Sequence, residues 1–144
     1  NNSFSCYDNG KSDGTGYQSW MISIYPENSV GDNLMLEILC GTDINTNISG
    51  KYTISNSRNE YTAIPGYVDG FTLMSSWYYY KDNALYISEF APIVDGWVDI
   101  QKNDEGTYTI TFDVYDDLNN NITGTYTDVK QDMKSAVLYP VINL

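Results

Sequence analysis

The sequence of 144 residues contains no histidine and only two cysteines. Without histidine, a serine or cysteine nucleophile has no imidazole base, and zinc lacks its usual nitrogen ligands. The glycine-rich loops that bind phosphates and dinucleotides are also missing from the chain. Catalysis would have to rest on carboxylates, so we expect a protein that is not an enzyme and that holds neither a metal ion nor an organic cofactor.

Basic residues are scarce as well. The chain has 7 Lys and Arg against 19 Asp and Glu, which gives a formal net charge of −12 at pH 7. Such a surface repels phosphate backbones and anionic lipid headgroups, so we expect no nucleic-acid partner. No apolar run approaches the roughly 20 residues of a membrane-spanning helix, so we also expect no transmembrane segment. Composition does not indicate the oligomeric state.

The two cysteines, Cys6 and Cys40, permit two interpretations. In an oxidising compartment they could form a disulfide, which would stabilise the fold by roughly 3–4 kcal/mol in the chain-entropy model. Cys40 also continues the alternating series Leu34, Leu36 and Ile38, and this pattern is typical of a buried apolar thiol. The buried thiol is the simpler interpretation, because it needs no pairing with Cys6.

What the chain has in quantity is tyrosine, with 14 residues, and alternation of polar and apolar residues. The clearest alternation lies within residues 106–126. The polar segment 116–121 supplies turn-forming Asp and Asn, and alternation resumes after it. On the first side of the turn, the apolar residues that define one strand face are Tyr108, Ile110, Phe112 and Val114. This stretch predicts a β-hairpin.

Similar patterns along the chain predict about eight to ten short strands. Residues 1–15 lack periodicity and indicate a frayed lead-in, and residues 128–136 have room for one helical turn. We expect a single all-β domain over residues 1–144, an antiparallel meander that closes into a barrel or folds into a two-sheet sandwich. Besides the hairpin, the expected strands are 17–25, 34–40, 48–54, 71–80, 84–90, 97–101 and 137–142, with a turn at 81–83 and a stop at Pro92.

Part of the chain resembles another part. Residues 47–53 match residues 121–127, and the same offset places the preceding apolar residues of both segments on one strand face. Either a three-strand unit was duplicated, over about residues 17–54 and 94–128, or two hairpins converged on similar turn chemistry. The shared turn and glycine favour duplication.

A set of structural motifs extends over residues 17–127, and its most regular parts are Gly50-Lys51-Tyr52-Thr53-Ile54, Gly106-x-Tyr108-x-Ile110-x-Phe112-Asp113 and Asn121-Ile122-Thr123-Gly124-x-Tyr126. This pattern resembles exported proteins and lipoproteins of gut Bacteroidetes with a calycin-like, that is lipocalin-like, β-barrel domain, mostly of unknown function. The resemblance implies a barrel and export to the periplasm, the outer membrane or the exterior. It also implies lipid anchoring, although no lipobox precedes Cys6, and it implies no catalytic residues.

The best candidates for ligand recognition are aromatic. Trp77 and Tyr79 share one face of a predicted strand, and Trp97 follows in the next strand but one. Flat aromatic rings stack on sugars and apolar molecules, and their polar tips form hydrogen bonds. We therefore predict that these three residues bind a glycan or a small apolar molecule. The alternative is that such large rings fill the core of a small β-protein.

Two other functions stay open. A structural or adhesive surface module would act through protein–protein contacts and would expose a strand edge or an apolar patch. A carboxylate-dependent hydrolase would need two acids facing each other across a cleft. The acidic turn of Asp113, Asp116 and Asp117 offers oxygen ligands for Ca²⁺, but its spacing differs from an EF-hand and fits an ordinary turn.

Overall fold

The computed structural model describes residues 2–11, 16–26, 30–41, 48–83, 85–129 and 131–133, of which 2–9, 11, 128–129 and 131–133 are described by their backbone. These residues contain twelve strands and no helix. The strands are β1 (Asn2–Lys11), β2 (Gln18–Pro26), β3 (Gly31–Leu39), β4 (Gly50–Ile54), β5 (Thr62–Ile64), β6 (Tyr67–Asp69), β7 (Thr72–Met74), β8 (Trp77–Asn83), β9 (Tyr86–Lys102), β10 (Tyr108–Asp116), β11 (Asn121–Val129) and β12 (Gln131–Met133). The predicted all-β class is confirmed.

Ten of the strands form one large sheet in the order β11-β10-β9-β4-β5-β3-β2-β1-β12, with β8 pairing with both β3 and β9. β6 and β7 form a separate two-stranded sheet. Most neighbours are antiparallel, as predicted, but β4 pairs with β9 and β3 with β5, so the sheet is not a simple meander of consecutive strands. Two pairs, β1 with β12 and β4 with β5, are parallel and depart from that prediction. They can be parallel because no hairpin turn joins their members directly.

The predicted hairpin is formed by β10 and β11. Their register places Phe112 opposite Gly124 and Val114 opposite Ile122. Burial alternates along the whole of β10, so the apolar face identified from the sequence is the buried one. The polar residues after Asp116 form the turn, and the Asp116 backbone exchanges hydrogen bonds across it.

β9 is the longest strand, and it changes partners along its length. Its first part, residues 86–92, pairs with β8. Its later part pairs with β4 through residues 97–100 and with β10 through residues 93–102. The two strands expected at 84–90 and 97–101 therefore belong to one element.

The expected stop at Pro92 is wrong. Proline cannot donate a ladder hydrogen bond, but Pro92 is the last residue that pairs with β8, where a missing donor costs little. The next amide, that of Ile93, donates to the Ser76 carbonyl at 3.0 Å. Gly96 then adopts a φ of +102°, and a Cβ there would collide with the Asp113 backbone, so the strand bends past β10 at a residue that has to be glycine.

The aromatic segment expected as one strand over residues 71–80 is divided into β7 and β8. Ser75 separates them with a φ of +67°, a left-handed conformation that does not fit a continuous strand. The Ser75 hydroxyl donates to the Glu37 carboxylate at 2.8 Å, and the Glu37 N–H donates to the Ser76 hydroxyl at 3.3 Å. The expected turn at 81–83 is also wrong, because the ladder with β9 continues to the end of β8.

Both ends of the described chain differ from the prediction. The frayed lead-in expected at residues 1–15 contains β1. Its sequence is polar and has no clear periodicity, and it is extended because it pairs with β2. The helical turn expected at residues 128–136 is wrong where β12 forms, because β12 pairs with β1 and is extended. The strand expected at residues 137–142 lies outside the described residues.

The main core lies on one face of the large sheet, and a smaller cluster lies on the other. Fully buried members of the main core include Ile22, Leu36, Ile38, Tyr52, Ile100 and Ile110. The second cluster joins Met21, Met35 and Trp77 to Leu73 of β7. Residues 72–77 thus cover part of the outer face, which explains why β2 and β3 carry large apolar residues on both faces.

Cys40 is a buried thiol whose Sγ lies 3.2 Å from the Tyr52 hydroxyl oxygen. The strand registers align Cys6 with Ile22 and Ile22 with Leu36. Cys40 directly follows β3, four residues beyond Leu36, and β3 is two strands away from β1. The Cα atoms of Cys6 and Cys40 are therefore roughly 16 Å apart on standard strand dimensions. A disulfide needs Cα atoms within about 7 Å, so the buried-thiol interpretation fits the backbone register and the disulfide does not.

The segments of the predicted repeat are similar in their first two strands. β2 with β3, and β9 with β10, are antiparallel neighbours. The third strands differ, because β11 pairs with β10 whereas β5 lies between β3 and β4. At both matching glycines an aromatic ring crosses the backbone, Tyr61 at Gly50 and Phe112 at Gly124. The duplication itself stays a prediction.

Candidate functional site

Trp77, the first predicted ligand-binding residue, lies in the second cluster and is 3% exposed. Its Nε1 donates to the Met74 carbonyl at 2.7 Å, and its ring centroid lies 6.1 Å from that of Phe90. The indole therefore has its hydrogen bond within the chain and fills space beneath β7. This placement fits the alternative prediction, in which the large aromatic rings fill the core of the protein.

Tyr79 and Trp97 occupy different surroundings. Tyr79 packs against the second cluster, and burial, with a smaller effect of Tyr25, raises the pKa of its hydroxyl. Trp97 is half-exposed on β9, and the Lys51 Nζ lies 4.5 Å from its ring centroid, in a cation–π contact. The structure thus brings Trp77 and Tyr79 together but not Trp97. Ligand binding by these three residues stays a prediction.

A cavity of about 710 Å³ lies on the opposite, core side of β8, between the start of β3, the first part of β9 and the β10–β11 hairpin. Small-molecule sites typically have volumes of roughly 300–1,000 Å³. None of the three predicted residues lines this cavity. Its apolar wall includes Ile24, Leu34, Tyr78, Ala91, Phe112, Ile122 and Tyr126.

Strand alternation explains the part of this wall that β8 provides. Tyr78 lies between Trp77 and Tyr79 in the chain, so its side chain points to the opposite face of the sheet. Across the ladders, Tyr78 pairs with Leu34 of β3 and with Ala91 of β9. These three residues therefore form one row across the cavity wall.

The hairpin provides the facing part of the wall. The rings of Phe112 and Tyr126 stack with centroids 6.0 Å apart and 29° between their planes. Gly124 makes room for this arrangement, because a Cβ at that position would lie 2.6 Å from Phe112 Cζ. The missing side chain lets the Phe112 ring lie against the backbone of β11.

The acidic turn of the hairpin forms part of the cavity rim. Asp116 is 7% exposed, and its carboxylate accepts hydrogen bonds from the Leu118 N–H at 2.9 Å, the Asn120 N–H at 2.8 Å and the Asn120 side-chain amide at 2.9 Å. Burial alone would raise the pKa of Asp116, but these hydrogen bonds outweigh burial and lower it. Asp116 is therefore an ionised residue that holds the turn together.

A second carboxylate at the rim interacts with the aromatic wall. The Tyr78 hydroxyl donates to Asp32 Oδ1 at 2.7 Å. Burial, followed by this hydrogen bond to a carboxylate, raises the pKa of Tyr78 well above its usual range. Glu89 also lines the cavity, and a neighbouring cavity of about 260 Å³ shares Asp32 and Tyr126. The rim of the cavity is thus polar and acidic, whereas its wall is apolar.

The acids of the cavity bear on the alternative functions. Within the described ranges, no three acidic or cysteine side chains gather in a way that could hold a metal ion. Of the cavity acids, Asp116 has a lowered pKa, whereas the general acid of a glycosidase needs a raised one. The hydrolase hypothesis gains no acid–base pair from this geometry.

The sequence predicts recognition on the outer face of the aromatic strand, whereas the residues that line this cavity lie on the other face. Alternation predicts the two faces of β8 and of the hairpin, but it does not predict which face borders an open space. One signal was present, because Gly124 interrupts the inward series of β11 directly opposite Phe112. A glycine facing an aromatic residue indicates a ring lying flat across the sheet.

In the part of the chain that the structure describes, no helix has the length and apolar character needed to cross a membrane. A scan against protein-family models finds no match. Searches of curated proteins and of solved structures also find none.

Proposed function

We propose that this chain is an exported, non-enzymatic β-barrel domain of the calycin-like kind that binds a small ligand in the 710 Å³ cavity. The order of the large sheet supports closure into a barrel. β11 lies at one end of that order and β12 at the other, yet only one residue separates them in the chain. Because β11 and β12 are so close in the chain, the two ends of the sheet have to lie near each other, as they do in a closed barrel.

The observation that carries the binding proposal is the pair of aromatic walls that face the cavity. Tyr78 lies on one side, and the stacked rings of Phe112 and Tyr126 lie on the other. A ligand with a flat or apolar portion can bury that portion between these walls, at about 25 cal/mol for each Å² of apolar surface removed from water. The side-chain nitrogens of Asn120 and Asn121 are bonded within the hairpin, so their side-chain oxygens at the rim are the polar groups that can orient the remaining part of the ligand.

The test uses a neutral aromatic probe, 2-naphthylmethanol, and isothermal titration calorimetry. The wild-type chain should bind it, and Ala91→Phe should weaken binding at least about tenfold, because the added ring occupies the row next to Tyr78. Val94→Phe, on the exposed part of the same strand, is the matched control and should bind like the wild type. Equal binding by Ala91→Phe and wild type, or no binding by either, would overturn the proposal.

A structural or adhesive module is the second proposal, and exposed apolar residues on β6 and near β7 favour it. Tyr67, Val68 and Phe71 are exposed by 46%, 50% and 63%. If the module acts by contact between copies, Phe71→Ser should abolish concentration-dependent self-association in analytical ultracentrifugation. A wild-type chain that stays monomeric at all concentrations would count against this alternative.

A further inference from the structure

The cavity wall changes in character from one row of the sheet to the next. The row of Leu34, Tyr78 and Ala91 is largely apolar. Two residues further along the strands, the ladders align Asp32, Tyr80 and Glu89 in the same way. Residues two apart in a strand point to the same face, so an acidic row borders the aromatic one. A ligand that follows the wall meets apolar surface first and carboxylates next.

The charges at the cavity have one sign. Asp32, Glu89 and Asp116 all line it, and none of the described lining residues is Lys or Arg. Asp116 is held in place by its hydrogen bonds to the turn, and Asp32 by its hydrogen bond from Tyr78. Fixed carboxylates attract a cation without a further loss of side-chain freedom on binding.

The aromatic wall also favours positive charge. The faces of aromatic rings carry negative electrostatic potential and attract ammonium groups within about 6 Å of the ring centroid. The half-buried Tyr78 and Tyr126 line the cavity, and the buried Phe112 lines it beside them. The chain already makes one contact of this kind elsewhere, between Lys51 and Trp97.

We infer that the ligand of this cavity is an amphipathic cation, with an apolar or aromatic portion between Tyr78 and Phe112 and an amine or quaternary ammonium group beside Asp32 and Glu89. This inference rests on the proposed binding function and adds the class of ligand. Ligands that carry a carboxylate or a phosphate are rejected, because their charge would lie among three carboxylates in a chain of net charge −12.

The experiment compares three probes of matched size: 2-naphthylmethylammonium, 2-naphthylmethanol and 2-naphthoate. In calorimetry at low salt, the cation should bind at least about tenfold more tightly than the neutral alcohol, and the anion more weakly than the alcohol. Raising the salt concentration should reduce the difference, because the Debye length falls from about 30 Å at 0.01 M to about 8 Å at 0.15 M.

Two double variants separate the site from the overall charge. Asp32→Asn with Glu89→Gln should reduce affinity for the cation about tenfold more than affinity for the neutral alcohol. Asp104→Asn with Glu105→Gln removes the same charge from the exposed β9–β10 turn, and should leave both affinities as they are. Circular dichroism and thermal unfolding check that both variants fold.

Each result has a separate meaning. If all three probes bind equally, or if both double variants weaken the cation alike, the inference about ligand class is overturned while the cavity remains a binding site. If none of the probes binds to the wild type, the proposed binding function fails as well. Tighter binding of the anion than of the alcohol would also overturn the inference.

Discussion

At the scale of single residues, Gly124 determines how the hairpin wall is built. The Phe112 ring lies where a side chain at residue 124 would otherwise be, and it stacks there on Tyr126. Gly124→Ala should therefore force the ring to move and destabilise the fold by about 1–3 kcal/mol, as overpacking does. Urea unfolding measures this change. Thr125→Ala, on the exposed face of β11, is the control and should shift stability by no more than about 0.5 kcal/mol.

Tyr78 makes stability depend on pH in the alkaline range. Because the pKa of Tyr78 is raised in the folded chain, its neutral form contributes stability that is complete below the ordinary tyrosine pKa of about 10 and is lost as the pH rises through the folded pKa. Wild-type chain should thus lose more stability than Tyr78→Phe above about pH 10, by up to about 1 kcal/mol after screening by solvent at the rim.

Urea unfolding at a series of pH values tests this expectation for Tyr78. The control is Tyr86→Phe, which removes an exposed hydroxyl and should follow the wild-type pH dependence. A parallel pH dependence in wild type and Tyr78→Phe would show that burial and the hydrogen bond to Asp32 do not hold the hydroxyl neutral. Absorbance of tyrosinate during the titration gives a second, direct measurement.

At the scale of elements, the covering of the outer face by β7 depends on a single side chain. Leu73 is fully buried among Met21, Met35 and Trp77. Leu73→Ala should cost about 2–5 kcal/mol, the usual range for a buried Leu-to-Ala change. It should also move the emission of Trp77 to longer wavelength, because water gains access to the indole. Leu85→Ala, at a residue that is 86% exposed and lies outside the β6–β7 ladder, should leave both measurements close to wild type.

Elements also differ in how far the sequence predicts them. The faces of β10 follow from alternation alone, because one side is buried along the whole strand. The extent of β9 does not follow from alternation. Pro92 does not end this strand, because β9 exchanges β8 for other partners at that residue and the missing N–H interrupts no continuing ladder. The division between β7 and β8 depends on the φ of Ser75 and on its hydrogen bond to Glu37, which is distant in sequence. Partner exchange and tertiary hydrogen bonds leave no periodic signal.

The candidate site was only partly predictable for a related reason. Alternation predicts that Trp77 and Tyr79 lie on one face of the aromatic strand and Tyr78 on the other, and the ladders of β8 agree with this. Which side of that strand would be covered depends on where residues 72–77 return to the sheet. The acidic turn was correctly assigned to turn formation, yet its position at the cavity rim follows from the pairing of β10 with β9, which no local pattern contains.

At the scale of the whole molecule, charge is the dominant property. With 19 acidic and 7 basic residues, the folded chain experiences self-repulsion that salt screens. Adding NaCl from about 0.02 M to about 0.5 M should raise the thermal midpoint by roughly 3–5 °C, equivalent to about 1 kcal/mol. Near pH 4, where carboxylates are partly protonated, the same addition should have little effect. An equal rise at both pH values would point to a general salt effect.

The late position of β9 in the chain also has a consequence for synthesis on the ribosome. β4 is complete at residue 54, but its antiparallel partner is not made until residues 97–100. During translation of the intervening chain, one edge of β4 stays open to pairing with other chains. Closing this long separation is also a slow step in folding, because non-local strand pairs must form before they contribute stability. Truncation before residue 97 should therefore yield an aggregating fragment.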